Sequence, residues 1–471
     1  MLFDLKQFGD DTALIMEDSV MSYAELHAAS EQIAKAIGRR SLLFLVCRNR
    51  PASIAGYIGC VNHGIVTAMI DDTLDSELLA HLVELYRPEY FWLPEDECGK
   101  YPEYSEVMHF QDYVLLATGE KKPFPLYEEL GVLITTSGST GSPKLVRQSY
   151  KNIKANTESI IDYLHIDQTE RAITNLPMHY VYGLSIIHTH LYAGAALVVT
   201  EKSMFERNFW DVFKSKDVTS FAGVPYTYEM LNKLKFFNMD LPSLRYMTQA
   251  GGKLAPELHK KFAEYAEREN KSFVVMYGAA EATARMGYLP PKESLRKWGS
   301  MGMAIPGGRF ELWDENDHLI KETGVVGELV YYGDNIMLGY AEKGEDLALG
   351  DINKGCLHTG DMAKVDDEGY YTVVGRKKRF LKLFGKRTNL EESEQLLKIH
   401  FDTVAVACAG VDDKMYIFTT DEKLYGKLAP YLSEKLSMHH SAFCEKLIPK
   451  IPKNSSGKTI YKELEPYYDG V

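Results

Sequence analysis

The chain lacks any pairing pattern among its six cysteines: Cys47, Cys60, Cys98, Cys356, Cys408 and Cys444 include no CxxC and no metal-ligand spacing. This excludes a zinc ribbon or a disulfide-stapled scaffold and reads as reduced core thiols. It also lacks any run approaching the roughly 18 uncharged apolar residues that a membrane helix needs. The first residues, Met-Leu-Phe-Asp-Leu-Lys-Gln, carry no basic stretch followed by a long apolar one, so neither a leader nor a membrane span is expected, and a cytoplasmic location is. Net positive charge is missing too. Lys and Arg total 53 against 66 Asp and Glu, a net −13, which argues against general nucleic-acid binding. Only the tail departs from this: residues 376–471 hold 17 basic and 13 acidic side chains, the one region suited to an anionic partner. Repeats and low-complexity tracts are absent as well.

What is present is a globular composition, 471 residues and 45% hydrophobic, ample for one large core and a smaller second one. Residues 22–38 open on a capping-box pattern and hold apolar residues at helical spacing up to a glycine. A strand is expected at 41–47, a helix at 51–63 and a strand at 64–70. Further helices are expected near 150–163, 208–215 and 256–269, with strands near 171–176, 195–200, 218–222 and 272–276. Such alternation predicts a mainly parallel α/β sheet. From Gly299 the texture turns to short β-like runs rich in Gly and Asp, the pattern of a small antiparallel barrel. Gly375-Arg-Lys-Lys-Arg-Phe is the predicted linker, because four consecutive cations are costly to bury, and a short α+β segment follows.

The centre of the sequence is Thr135 to Lys144, Thr-Thr-Ser-Gly-Ser-Thr-Gly-Ser-Pro-Lys, after the apolar run Gly-Val-Leu-Ile. A buried strand opening into such a loop suits phosphate. Gly138 and Gly141 let the backbone approach a ligand, the hydroxyls of Thr135, Ser137, Ser139 and Thr140 donate hydrogen bonds, and Lys144 adds a mobile charge. The spacing is not that of a P-loop, since Pro143 precedes the lysine and Leu145 follows it.

This loop resembles the signature of the adenylate-forming enzymes, the superfamily of acyl-CoA synthetases, stand-alone and modular adenylation domains and luciferases, and the other family motifs follow in order. Pro177-Met-His-Tyr-Val-Tyr-Gly-Leu resembles the Pro-x-x-His-x-x-Gly element bordering the acid pocket. Here His179 stands one place before the usual histidine column and Tyr180 fills it. The Phe-Asp that amino-acid-activating members carry there is missing, which disfavours an α-amino acid. Gly223-Val-Pro-Tyr-Thr-Tyr and Ala250-Gly-Gly-Lys-Leu resemble the strand ends that line the acyl pocket and stack on adenine, implying Gly223, Gly251 and Gly252. Tyr277-Gly-Ala-Ala-Glu-Ala-Thr resembles Tyr-Gly-x-Thr-Glu, which implies Tyr277, Gly278, Ala279 and Ala280 around the nucleotide and Glu281 on magnesium. Ala280 replaces the threonine, leaving Thr283 or a main-chain amide to supply the lost donor. Arg285 falls near the acid pocket, to pair with an anionic substrate group or with a structural carboxylate.

Leu357-His-Thr-Gly-Asp361 and Gly375-Arg376 match the ribose-binding block, a carboxylate being able to accept from both ribose hydroxyls. Lys378 occupies the family's hinge position. Residues 382–394 resemble the loop that enters for the second half-reaction, with Gly385 and Lys386 in it and Leu390 where proline is usual. Pro452-Lys-Asn-Ser-Ser-Gly-Lys458 matches the terminal element whose lysine bridges the acid and the α-phosphate.

The resemblance implies a large N-terminal domain over 1–376, of doubly wound α/β sheets plus a small β-barrel, and a small mobile α+β domain over 377–471. It implies ATP, magnesium and either coenzyme A or the phosphopantetheine of a carrier protein, with Lys458, Glu281, Thr136 and Lys144 as catalytic residues. The implied reaction is AMP-forming ligation of a carboxylic acid to a thiol, with coenzyme A favoured over a carrier protein. A non-catalytic nucleotide-binding regulator is the remote alternative. Tyr180, Tyr182, Tyr226, Tyr228 and Met276 suggest an acid pocket of modest size with aromatic walls.

Overall fold

The computed structural model describes residues 2–135, 144–384, 386–411, 413–436, 438–453 and 459–468. Two compact units emerge, one built from 2–135, 144–309 and 331–357, the other from 310–330 and 358–468.

In the first unit the predicted alternation yields two large sheets. One has nine strands with a parallel centre in which Arg171–Ile173, Ser220–Gly223, Tyr246–Gln249 and Ser272–Tyr277 lie side by side. The other has eight, with Leu42–Cys47, Val66–Asp71 and Leu130–Thr135 parallel at its middle. One apolar cluster fills the space among these elements. It takes Leu14 and Leu197 from the first sheet, Leu43 and Val132 from the second, and Ile54, Ile58 and Leu184 from helices. Val-, Ile- and Leu-rich strands covered on both faces are what a parallel sheet demands.

Local signals act where they were read. Ser22 accepts from the Glu25 amide at 3.2 Å while Glu25 reaches back to the Ser22 amide at 2.7 Å, closing the capping box of helix Tyr23–Ile37. Tyr150–Leu164, Arg207–Ser215 and Pro256–Arg268 are the expected helices. Helix Val181–Ala193 carries no amphipathic period because nearly every face of it is buried, His188 and His190 included.

In the second unit the region expected as a small barrel forms a five-stranded sheet, whose edges are Leu319–Ile320 and Tyr371–Arg376. After it come the hairpin Phe380–Leu383 with Lys386–Asn389, helix Leu390–His400 and a three-stranded sheet. Arg376 and Lys377 of the basic run are solvated, and Arg379 is not. Arg379 is largely buried, donates to Glu394 at 2.7 Å and to the Cys408 carbonyl at 2.9 Å, and stacks 3.6 Å from the centroid of Tyr461. A buried carboxylate and an aromatic face offset the desolvation that four adjacent cations alone would have suffered.

Candidate active site

Three motif segments leave the nine-stranded sheet together. Gly223, Gln249 and Val275 are in register on adjacent parallel strands, so the residues just beyond them share the carboxyl edge of the sheet. Two glycines there are dictated by geometry. Gly251 has φ +84°, and a Cβ on it would lie 2.6 Å from the Tyr180 hydroxyl. A Cβ on Gly278 would meet the Ala284 carbonyl oxygen at 1.7 Å, so the turn after Tyr277 closes only without a side chain. Tyr180 and Gly251, read from separate motifs, are thus neighbours. Gly252 sits over Pro225, and Gly223 against Thr227 and Tyr228.

Thr135 ends its strand opposite Leu145, so the loop between them joins antiparallel neighbours. Thr136, Ser137, Gly138, Ser139, Thr140 and Gly141 lie outside the described residues, as do Gly385 and Lys458, and the side chains of Lys378 and Lys386. Lys144 is described: its Nζ lies 3.8 Å from the centroid of the Tyr340 ring. The Tyr340 hydroxyl in turn donates to Glu281 Oε1 at 2.6 Å. Strand Gly339–Ala341 is zipped to Leu145–Ser149 with Tyr340 opposite Val146, which sets the ring beside the lysine. The backbone around Glu281 is fixed as well. Met337 N donates to the Glu281 carbonyl at 2.9 Å, and Gln148 Nε2 to the Ala280 carbonyl at 3.1 Å.

One carboxylate oxygen held by a phenol and the other left open suits a hard cation that keeps most of its ligands as phosphate and water. The described residues hold no cluster of three or more potential metal ligands.

The Thr283 alternative fails. In left-handed backbone at φ +63°, its hydroxyl donates at 2.6 Å to the Asn335 carbonyl, so it is spent inside the core. His179 meets Asp71 at 3.3 Å, and burial holds its pKa below the usual histidine value against the pull of Asp71. It is not in the cavity wall described next.

A cavity of about 30 Å³, room for a water or two, is walled by residues that include Tyr182, His190, Tyr246, Thr248, Met276 and Arg285, and Tyr180 neighbours Tyr182 of that wall, ring centroids 6.4 Å apart. Of the five residues expected around an acid pocket, Tyr182 and Met276 are in this wall and Tyr180 is not. Tyr226 is not, being 41% exposed, and Tyr228 is core, its hydroxyl on the Thr248 carbonyl and its ring edge-on to Phe262 and Phe273. Arg285 is 3% exposed, and its guanidinium stacks 3.9 Å from the Tyr182 centroid. Burial raises the pKa values of Tyr180 and Tyr182, the latter to about 12, with the Arg285 cation opposing.

In the second unit Asp361 and Arg376 are cross-strand partners, Nε to Oδ1 at 3.0 Å, and Asp361 is buried. Lys377 pairs with Glu328 at 2.7 Å, so Lys378 stands between cations anchored on the five-stranded sheet and Arg379, anchored on Glu394.

Grouped strand-end loops on an α/β fold thus lie with a carboxylate and a lysine that share one tyrosine. Residues 4–341 match the family described as AMP-binding enzyme, and the chain belongs to that family. It is 25% identical over 475 residues to the 2-succinylbenzoate–CoA ligase of Bacillus subtilis, spanning 96% of this chain and 94% of that one. With the indoleacetate–CoA ligase of Aromatoleum aromaticum it shares 26% over 430 residues, 86% and 83% of the two chains. Among solved structures, it superposes at a TM-score of 0.80 on the o-succinylbenzoate CoA synthetase of Bacillus subtilis in complex with its acyl-adenylate intermediate. That match has 21% identity and covers 98% and 97% of the chains. Another structure of that synthetase, holding ATP and magnesium ion, matches at 0.80 with 22% identity over 98% of each chain. Among the described residues no helix is long and apolar enough to cross a membrane.

Proposed function

We propose that this chain is an AMP-forming acid–thiol ligase that joins a small carboxylic acid to coenzyme A through an acyl-adenylate. The observation that carries the reading is the Lys144–Tyr340–Glu281 array beside the turn after Tyr277.

The acid carboxylate attacks the α-phosphorus of ATP, forming the acyl-adenylate and releasing pyrophosphate; the thiol then attacks the acyl carbon and AMP leaves. The acid is itself the nucleophile, so no general base is needed in the first step, and catalysis lies in positioning and charge neutralisation. Thr135, the 136–141 loop and Lys144 hold phosphate oxygens, and Lys458 bridges acid and α-phosphate. Glu281 would hold magnesium, which when bound would supply positive charge to the phosphate oxygens. Gly251, Gly252 and Tyr277 to Ala280 border the adenine and α-phosphate, Asp361 and Arg376 the ribose. His179, Tyr180, Gly223 and Arg285 belong to the acid side. The 377–471 segment turns about Lys378 between the two steps, bringing in Gly385 and Lys386 for thiolation.

ATP–pyrophosphate exchange across short aliphatic, aryl, dicarboxylic and amino acids, followed by AMP release on adding coenzyme A, tests this. Exchange with one acid class and CoA-dependent turnover are expected. Exchange with turnover only on a phosphopantetheinylated carrier protein would replace the thiol, and silence throughout with ATP still bound would leave the regulator.

A further inference from the structure

Three buried polar atoms in the wall of one cavity make no well-formed hydrogen bond among the described residues: Arg285 Nε, Tyr246 Oη, which has the Ser220 side chain beside it, and His190 Nε2. Arg285 has no carboxylate partner among the described residues. Among the described residues it meets the Ala284 carbonyl at 3.2 Å, the Tyr163 phenol and the face of Tyr182. A guanidinium withdrawn from water without a counter-ion is costly, and one aromatic face recovers only part of that cost. The other groups around it are phenols, Tyr163 with its hydroxyl on Met276 Sδ and Tyr182 with its hydroxyl on Thr248. The wall therefore holds a cation and a phenol with only Ser220 beside it, and no acid among its described residues. His190 serves differently. Its Nδ1 donates to the Ile186 carbonyl at 2.9 Å, so the neutral ring turns a lone pair into the cavity, suited to a water or a substrate hydroxyl.

Resting on the ligase reading above, we propose that this cavity is a subsite for a second carboxylate, so that the enzyme activates dicarboxylic acids, with Arg285 as the specificity-determining residue and Tyr246 as its helper. Planar guanidinium matches planar carboxylate, and the wall residue Tyr182 lies, with ring centroids 6.4 Å apart, beside Tyr180, whose hydroxyl is at Gly251 on the carboxyl edge of the sheet. One carboxylate of the acid would react at that edge while the other is held inside.

The test is pyrophosphate exchange by the full-length protein on matched pairs: succinate with butyrate, glutarate with valerate, phthalate with benzoate. At least one dicarboxylate should exceed its partner in kcat/KM by on the order of 100-fold, the scale set by an unpaired buried charge. Arg285→Gln should collapse that ratio. Tyr246→Phe, a milder change that keeps the ring, should lower it about tenfold, and calorimetric binding of the preferred dicarboxylate to wild type and Tyr246→Phe gives the same answer without turnover. Exchange confined to monocarboxylates overturns the subsite and leaves the ligase standing, as does an equal loss for both members of a pair in Arg285→Gln. No exchange with any acid, with ATP binding intact, removes both.

Discussion

The Tyr340 hydroxyl donates to Glu281 Oε1 at 2.6 Å while the same ring lies under the Lys144 ammonium. One residue thus aligns a carboxylate and a cation that approach the phosphates from different segments. The arrangement follows from topology. Strand Gly339–Ala341 is paired with Leu145–Ser149, and Met337, two residues before that strand, holds the Glu281 carbonyl. Tyr340 is a positioning residue in this reading, because it acts through Glu281 and Lys144.

Tyr340→Phe keeps the ring under Lys144 and removes only the hydrogen bond. A bond to a charged acceptor contributes about 1.5–3 kcal/mol, so the magnesium concentration for half-maximal exchange should rise at least about tenfold. The unfolding midpoint should hardly move, because Glu281 is half-exposed and water can replace the phenol. An unchanged magnesium requirement in Tyr340→Phe would detach Tyr340 from the metal site.

Arg379 and Glu394 form the buried ion pair of the C-terminal segment, with Tyr461 and the Cys408 amide also on Glu394. Glu394→Gln strands the Arg379 cation in the interior and should cost about 3–5 kcal/mol in urea unfolding. Replacing both, as Arg379→Met with Glu394→Gln, removes the stranded charge and should recover part of that loss. If the double variant is less stable than Glu394→Gln, the pair is not the source of the cost.

Burial holds the pKa of His188 at about 3 and those of His190 and His259 at about 4, well below an ordinary histidine. Below about pH 6.5 the unfolded chain binds protons at these sites that the folded chain refuses, so stability falls as pH falls. The contribution is complete above about pH 6.5 and drains away toward pH 4, at up to about 1.4 kcal/mol per pH unit for each histidine. His188→Gln, which preserves a partner for the Tyr57 hydroxyl, should flatten that slope by about a third. Denaturant melts at pH 7, 6 and 5 read it out; identical slopes in variant and wild type would exclude His188 as a contributor.

How far the sequence could be read depended on whether a feature is local. The Ser22–Glu25 box, the apolar strands and the glycine turns after Gln249 and Tyr277 are signalled within a few residues, and they formed as expected. Helix Val181–Ala193 gave no period because its polar residues are buried with the apolar ones. Arg379 looked like one more exposed cation, since Glu394 and Tyr461, its partners, lie on later elements. Tyr340 had no motif around it to mark a role. Its importance comes from a strand pairing that brings it to Lys144 and to Glu281, 59 residues earlier in the chain. Tyr226 and Tyr228 show the same limit: residue type alone suggested a wall, and helix Pro225–Lys233 turns one toward solvent and one to the core.

Lys458 lies outside the described residues, yet the ends of its segment are fixed. Lys453 pairs with Thr459 across an antiparallel bridge, and the Ile460 amide donates to the Pro452 carbonyl at 2.9 Å. In the proposed cycle Lys458 is delivered to the α-phosphate in one step and withdrawn for the next. Its charge is needed only while carboxylate and phosphate oxygens are crowded together during adenylation. Lys458→Ala should therefore lower pyrophosphate exchange by on the order of 100-fold or more, the scale of losing one charged stabiliser. Thiolysis of a supplied acyl-adenylate by coenzyme A should persist near the wild-type rate. The two half-reactions are measured separately, on the acid that exchanges best. Equal loss in both would mean that Lys458 supports the segment as a whole, and the division of labour between the two steps would have to be assigned elsewhere.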